Sequence, residues 1–249
     1  MLTNMAHLLF AAVSSVSASA ANEAGLKKQL AVMQGTWKLA AVEIDGETID
    51  RGGQVARPPR WIIRGNKVYY AGEELAVLTL DPDATPRTID LAFSKPKRTY
   101  EGVYALEQNT LKICLNRMTD GVKERPLGFA TKGKSDWRLL VFQRLNEPKA
   151  DAVEHLSGFV GIAIGYNKQK ELVILQLVDD GPAKKAGLKK DDIVLQIDGR
   201  DAGDLRAAVR TIQECRPRNE ITIRVKRDGD ERNIKVQVGV VPFHLFLMN

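Results

Sequence analysis

Between residues 37 and 145 apolar and polar side chains alternate in short runs. Ile89, Leu91 and Phe93 interleave with Thr88, Asp90 and Ala92, and Leu111, Ile113 and Leu115 with Lys112, Cys114 and Asn116. A period of two buries one face of a segment and leaves the other wet, as in a β-strand. The pattern predicts strands at Trp37–Ile44, Arg60–Arg64, Lys67–Tyr70, Ala76–Leu80, Thr88–Phe93, Tyr100–Leu106, Leu111–Asn116, Arg125–Ala130 and Trp137–Arg144. Turn chemistry separates them: Asp45-Gly46, Gly65-Asn66, Asp81-Pro82, Gln108-Asn109 and Asp120-Gly121. Many short strands joined by tight turns predict a meandering antiparallel sheet. It either packs as a sandwich or closes on itself, and closure removes the exposed edges. A short amphipathic helix, Glu23–Leu30, leads into the first strand.

The character changes after a polar stretch around Pro148, read as a linker. Beyond it strands are expected at Gly161–Tyr166, Leu172–Leu177, Asp192–Ile197, Ile221–Lys226 and Asn233–Val238, with helices at Ala183–Ala186 and Asp204–Cys215. The second helix carries Leu205, Ala208, Val209 and Ile212 at spacings of three and four, so one side is apolar. The fold class expected is mainly β in two domains: a barrel over residues 26–146, a linker at 147–155, a second domain at 156–241, and an apolar tail at 242–249.

The run from Asp180 to Arg200, DGPAKKAGLKKDDIVLQIDGR, closely resembles the signature of bacterial PDZ domains. Its physics reads without the name. Pro182 opens a helical turn, where its missing N–H costs nothing. Gly187 ends that turn in the left-handed conformation. Leu188 enters the core, Asp191-Asp192 turn the chain, Ile193, Leu195 and Ile197 alternate, and Asp198-Gly199 closes the next turn. Upstream, Gly158-Phe159-Val160-Gly161-Ile162-Ala163-Ile164 is similar to the family's carboxylate-binding loop and following strand. The resemblance implies a small β-barrel or sandwich capped by two helices. Backbone N–H groups of Val160, Gly161 and Ile162 would meet a peptide's terminal carboxylate, and the peptide would add as an extra strand. Phe159, Val160, Gly161, Ile162, Ala163 and Ile164 form the expected loop and strand of the peptide site. Leu205, Ala208, Val209 and Ile212 complete it from the helix, where each fits groove or core alike.

The first domain is similar, at its two ends, to a lipocalin-like family of secreted planctomycete proteins. The motifs are Leu30-Ala31-Val32-Met33-Gln34-Gly35-Thr36-Trp37-Lys38-Leu39, then Ala130-Thr131-Lys132 and Trp137 to Arg144. That resemblance implies an antiparallel lipocalin-like β-barrel closed by an Arg144–Trp37 stack. Its interior either holds an apolar ligand or is filled by side chains.

Composition narrows the choices. The 249 residues are 44% hydrophobic and 27% charged, which excludes a disordered chain, and the net charge is +6. The basic residues are interleaved with acids and form no aromatic-studded stripe, so nucleic acid is not an expected partner. Met1 to Ala20 holds no Asp, Glu, Lys or Arg and ends in Ala18-Ser19-Ala20. It reads as an export signal over residues 1–20, too short in apolar core to span a membrane. The two cysteines, Cys114 and Cys215, lie in different domains, with no metal-ligand spacing. No metal or other cofactor is expected.

Gly128-Phe129-Ala130-Thr131-Lys132-Gly133-Lys134-Ser135 matches the P-loop letter for letter, but an alternating strand follows where a helix is needed, so it reads as a hairpin turn. His7, His155 and His244 are the only histidines. No G-x-S-x-G or H-E-x-x-H occurs, so no catalytic residue is assigned and the chain is not expected to be an enzyme. The expectation is an exported, periplasmic or extracellular, non-catalytic protein whose partner is a protein or peptide C-terminus. The alternative is a carrier of a small apolar ligand, with the PDZ domain as tether.

Overall fold

The structure is a computed structural model that describes residues 23–49, 58–95, 97–116, 124–146, 156–243 and 245. The expected export signal and linker lie outside the described residues, as do all three histidines and most of the apolar tail. The chain divides into two compact units, the second holding residues 151–249.

In the first unit, helix α1 (residues 23–33) precedes nine strands. These are β1 (Gly35–Ile44), β2 (Glu47–Ile49), β3 (Arg60–Arg64), β4 (Lys67–Tyr70), β5 (Glu73–Asp81), β6 (Thr88–Phe93), β7 (Arg98–Glu107), β8 (Thr110–Asn116) and β9 (Trp137–Leu145). Each pairs antiparallel with its neighbour in the order β2-β1-β3-β4-β5-β6-β7-β8-β9, and β1 also pairs β9. That last ladder, Thr36 opposite Leu145 through Glu43 opposite Leu139, closes an eight-stranded barrel with β2 as a flap. Inward positions are large and apolar, and Trp37, Trp61, Leu91, Leu111, Ile113 and Phe142 are fully buried. Trp61 and Phe142 stack with ring centroids 4.5 Å apart.

Segment 125–130 is not a strand. Val103, Cys114, Trp137 and Leu139 form an apolar cluster of their own, and Phe129 packs against it. Arg125 holds the segment down, donating to Gly102 O at 2.8 Å and pairing with Asp90 at 2.7 Å. The segment therefore packs by its side chains and takes no place in the ladder, which its alternating sequence alone could not distinguish. The P-loop-like letters form turns running straight into β9. Thr131 is fully buried there, accepting from Gly46 N–H at 2.8 Å and donating to Glu43 at 2.5 Å.

The second unit comprises β10 (Gly158–Phe159), β11 (Ile162–Tyr166), β12 (Leu172–Leu177), α2 (Pro182–Lys185), β13 (Ile193–Ile197), β14 (Arg200–Asp201), α3 (Leu205–Glu214), β15 (Glu220–Arg227), β16 (Asp230–Gln237) and β17 (Gly239–Val240). The main sheet runs β11-β12-β13-β15-β16, β14 pairs β13, and β10 pairs β17. The turn residues behave as their chemistry requires: Pro182 opens α2, and Gly187, Asp198 and Gly199 have φ of +91°, +50° and +77°. Asp204 caps α3, accepting from Ala207 N–H at 2.7 Å. One core, built on Ile174, Ala183, Ile197, Ala208, Ile223, Val225 and Val236, joins the sheet to both helices.

Candidate peptide-binding edge

Strand β11 ends the sheet, pairing with β12 on one side; no described strand pairs with its other side. The phase of the ladder decides which backbone groups face that open side. Val178 N–H donates to Gly161 O at 2.9 Å and Asn167 N–H to Glu171 O at 3.0 Å. Ile162 opposite Leu177 and Tyr166 opposite Leu172 are therefore non-hydrogen-bonded pairs. Ile174, opposite Ile164, spends both backbone groups on the far side, donating to Asp192 O and accepting from Asp191 N–H. The N–H and C=O of Ile162, Ile164 and Tyr166 consequently point away from β12.

The loop before β11 is held by its carbonyls. Val160 O accepts from Ala183 N–H at 2.8 Å, and Gly161 O from Val178 N–H. Gly161 has φ +78°, the left-handed region that lets successive amides turn the same way. Neither Val160 nor Gly161 donates its N–H to a backbone acceptor among the described residues. A carboxylate is a suitable acceptor for such a cluster.

The expected site residues divide by surroundings. Phe159 is half-buried on β10, opposite Gly239. The Val160 side chain is core, leaving only its backbone available. Ile162 and Ile164 are half-buried against the core and Ala163 is exposed on the opposite face of β11. On α3, Ala208 and Ile212 belong to the core, Leu205 is half-buried beside it, and Val209 is 37% exposed. Tyr166 ties strand to helix, its Oη accepting from Leu205 N–H at 3.1 Å.

Two supports behind the loop carry no local sequence signal. Gly158 lies against the end of α3, where an added Cβ would stand 2.4 Å from Ile212 O and 2.6 Å from Cys215 O. Asp192, 1% exposed, accepts from Arg227 Nε at 2.6 Å, Arg227 Nη2 at 2.7 Å and Lys189 N–H at 2.8 Å. Burial alone would push the Asp192 carboxyl up; the Arg227 fork and the Lys189 N–H outweigh it and hold the carboxyl below its ordinary value. Arg227 also donates to Gly187 O at 2.9 Å, which anchors the end of the α2 turn. The observations that could have exposed this pair are the second acid of Asp191-Asp192, directly before β13, and the arginine closing β15.

Among the described residues no cluster of three or more His, Cys, Asp or Glu is placed to hold a metal, and no helix is long and apolar enough to cross a membrane.

Comparison with known proteins fixes the class of the C-terminal unit. Residues 153–238 match the model of the PDZ domain, and this part of the chain is a PDZ domain. Among curated proteins, a probable periplasmic DegP-like serine endoprotease of Halomonas elongata is 34% identical over 90 residues, 36% of this chain and 19% of that protein. One of Pseudomonas fulva with the same description is 28% identical over 106 residues, 43% of this chain and 20% of that protein. The chain thus spans about a fifth of the length of these curated relatives. Among solved structures, the HtrA3 PDZ domain bound to a phage-derived ligand matches 35% of this chain and 89% of its own, at 17% identity and TM-score 0.31. The HtrA-type protease AlgW with a tripeptide matches 86% of this chain and 97% of its own, at 15% identity and TM-score 0.34.

These findings correct two expectations. The non-catalytic binding protein, together with its apolar-ligand-carrier alternative, does not stand, because the curated relatives are described as probable periplasmic DegP-like serine endoproteases. The expectation that the chain is not an enzyme falls with it. The lipocalin-like resemblance of the first unit gains no support, since the family model matched lies in residues 153–238. The eight-stranded barrel and the Arg144–Trp37 stack, with the guanidinium 4.1 Å from the ring centre, remain as geometry without that name.

Proposed function

We propose that this chain takes part in serine endoproteolysis of the DegP-like kind, in the periplasm, and that its PDZ domain grips the polypeptide. The observation that carries the gripping role is the open edge of β11 beside the carbonyl-tethered loop at Gly161, and the proteolytic part is supported by the similarity to DegP-like serine endoproteases. A polypeptide C-terminus would place its carboxylate on the Val160, Gly161 and Ile162 amides and pair along Ile162 and Ile164. Leu205 and Val209 would face its alternate side chains from α3. Phe159, Ala163, Ala208 and Ile212 support or flank that site. The working boundaries are an export signal at 1–20, a barrel domain at 26–146, a linker at 147–155, the PDZ domain at 156–241 and a tail at 242–249.

Binding of about −8 kcal/mol, a micromolar Kd, is the expected scale for one strand and one pocket. The test uses the full chain with a fluorescein-labelled hexapeptide ending in Val, as free acid and as amide, alongside β-casein digestion. The free acid binds at least tenfold tighter than the amide, Gly161→Trp abolishes that binding, and casein cleavage is blocked by a serine-directed fluorophosphonate. Equal binding of acid and amide would remove the carboxylate reading. Casein left intact would remove the proteolytic one.

A further inference from the structure

In the first unit, the end of α1, the β5–β6 loop and the β7–β8 turn border a cleft of about 550 Å³. Two guanidiniums line it, Arg87 from the loop and Arg144 from β9, with Ala31, Val32, Leu106 and Gln108. Neither arginine pairs with a carboxylate among the described residues. The acid of the same loop is otherwise engaged: Asp81 Oδ1 accepts from the N–H groups of Asp83 and Ala84 at 3.1 Å and 3.2 Å. Arg144 is held in place by its stack on Trp37 and by its bonds to the carbonyls of Gln34 and Val32. Those bonds leave part of its five-donor fork over. Arg87 is exposed, and its side chain has no hydrogen-bond partner among the described residues.

Apolar surface lies beside these cations. Val32 is 45% exposed and Leu106 is half-buried. A cleft of this size with a few polar groups on an apolar lining suits a small ligand or the end of a chain. The fully buried Trp37 and Phe142 fill the barrel behind it and do not line it, so an occupant stays at the rim. Its charge follows from the lining. A guanidinium fork matches an oxyanion, and an apolar neighbourhood strengthens the pairing. The cleft borders the last turn of α1, the negative end of the helix dipole, which disfavours the double charge of a phosphate. Val32 O is already spent on Arg144, and a single negative charge is the better match. We propose that this cleft binds a carboxylate carrying an apolar group, supplied either by a polypeptide C-terminus or by a small organic acid. The site is independent of strand addition at β11.

The test is isothermal titration calorimetry of the full chain carrying Gly161→Trp, which silences the edge of β11. The probes are 4-phenylbutyrate, its primary amide, and an acetylated tripeptide ending in Leu as free acid. At least one of the two acids binds, and 4-phenylbutyrate or the tripeptide acid exceeds the amide by about tenfold. Adding Arg87→Ala weakens that binding by about tenfold, and adding Val32→Asp, on the other wall, weakens it by a similar factor. Arg87→Ala removes no side-chain bond, so the barrel's unfolding midpoint, read by tryptophan fluorescence, stays at its starting value. Tighter binding of the tripeptide assigns the site to polypeptide ends, and tighter binding of 4-phenylbutyrate assigns it to small acids. No binding of either acid, equal binding of acid and amide, or affinity unchanged in both Arg87→Ala and Val32→Asp overturns the proposal. None of these results bears on strand addition, which the Val hexapeptide reads in the chain with Gly161 intact.

Discussion

Asp192 and Arg227 meet in a two-point fork, Nε to Oδ1 at 2.6 Å and Nη2 to Oδ2 at 2.7 Å, with the carboxylate almost wholly buried. The fork joins the residue before β13 to the last residue of β15, and Arg227 also reaches Gly187 O at 2.9 Å. It therefore braces the turn after α2, whose Ala183 N–H holds the carbonyl of Val160. Arg227→Ala leaves a buried carboxylate without its cation, a loss of about 3–5 kcal/mol. Urea unfolding followed by circular dichroism should show the PDZ transition at a lower midpoint. Arg227→Lys restores only part, because an ammonium cannot make the planar two-point contact.

The same pair predicts a pH dependence. The Asp192 carboxyl is held below its ordinary value in the folded domain, so the unfolded chain binds its proton more readily. Its contribution to stability is complete above the ordinary carboxylate range and is lost as pH falls through the folded value. Thermal melts between pH 7 and pH 3 should show Tm of the PDZ transition falling on the acid side. Asp192→Asn starts from a lower Tm at pH 7 and loses less of it on acidification. A parallel decline in both proteins would separate the acid sensitivity from this carboxyl.

Gly158 is fixed by contact with backbone, which has nowhere to retreat. A methyl group there would stand 2.4 Å from Ile212 O and 2.6 Å from Cys215 O. Gly158→Ala must push β10 away from the end of α3, at a cost of about 1–3 kcal/mol. Because β10 leads directly into Val160 and Gly161, peptide affinity should fall by more than the loss of folded protein accounts for. Titration of the labelled Val peptide well below the variant's Tm distinguishes the two effects. Unchanged affinity in the folded variant would show that the loop holds its shape without β10.

What the sequence disclosed depended on whether a residue's conformational task was local. Pro182, Gly187 and Asp198-Gly199 announce their turns because each answers a backbone demand within a few residues. Alternation in β5 to β9 was legible for the same reason. Arg125–Ala130 misled because alternation reports two faces without reporting a ladder; Phe129 packs on an apolar cluster outside the barrel. The fork between Asp192 and Arg227 spans 35 residues and leaves no periodic trace. Strands β10 and β17 contribute two residues each, too short for a period to register. The open side of β11 was anticipated from a resemblance, yet the phase that turns Ile162, Ile164 and Tyr166 outward follows only from hydrogen bonds across β12.

In the barrel, Arg144 lies over Trp37 at 4.1 Å and donates to the carbonyls of Val32 and Gln34. Trp37 is fully buried and its Nε1–H donates to Met33 O at 2.9 Å, so ring and guanidinium together fasten α1 to the β1–β9 seam. Partial burial lowers the guanidinium's proton affinity from its very high ordinary value, which leaves it charged throughout the working pH range. Arg144→Leu keeps much of the apolar contact but loses the cation–π attraction and leaves two carbonyls without their donor. A loss of about 2–3 kcal/mol is expected from those terms. It should appear in the barrel's unfolding transition, followed through tryptophan fluorescence, while the PDZ domain's peptide affinity stays unchanged. Arg144→Lys recovers the charge but not the two-carbonyl reach, and so should fall between the two. A barrel midpoint equal to wild type in Arg144→Leu would mean that the seam is held by the β1–β9 ladder alone.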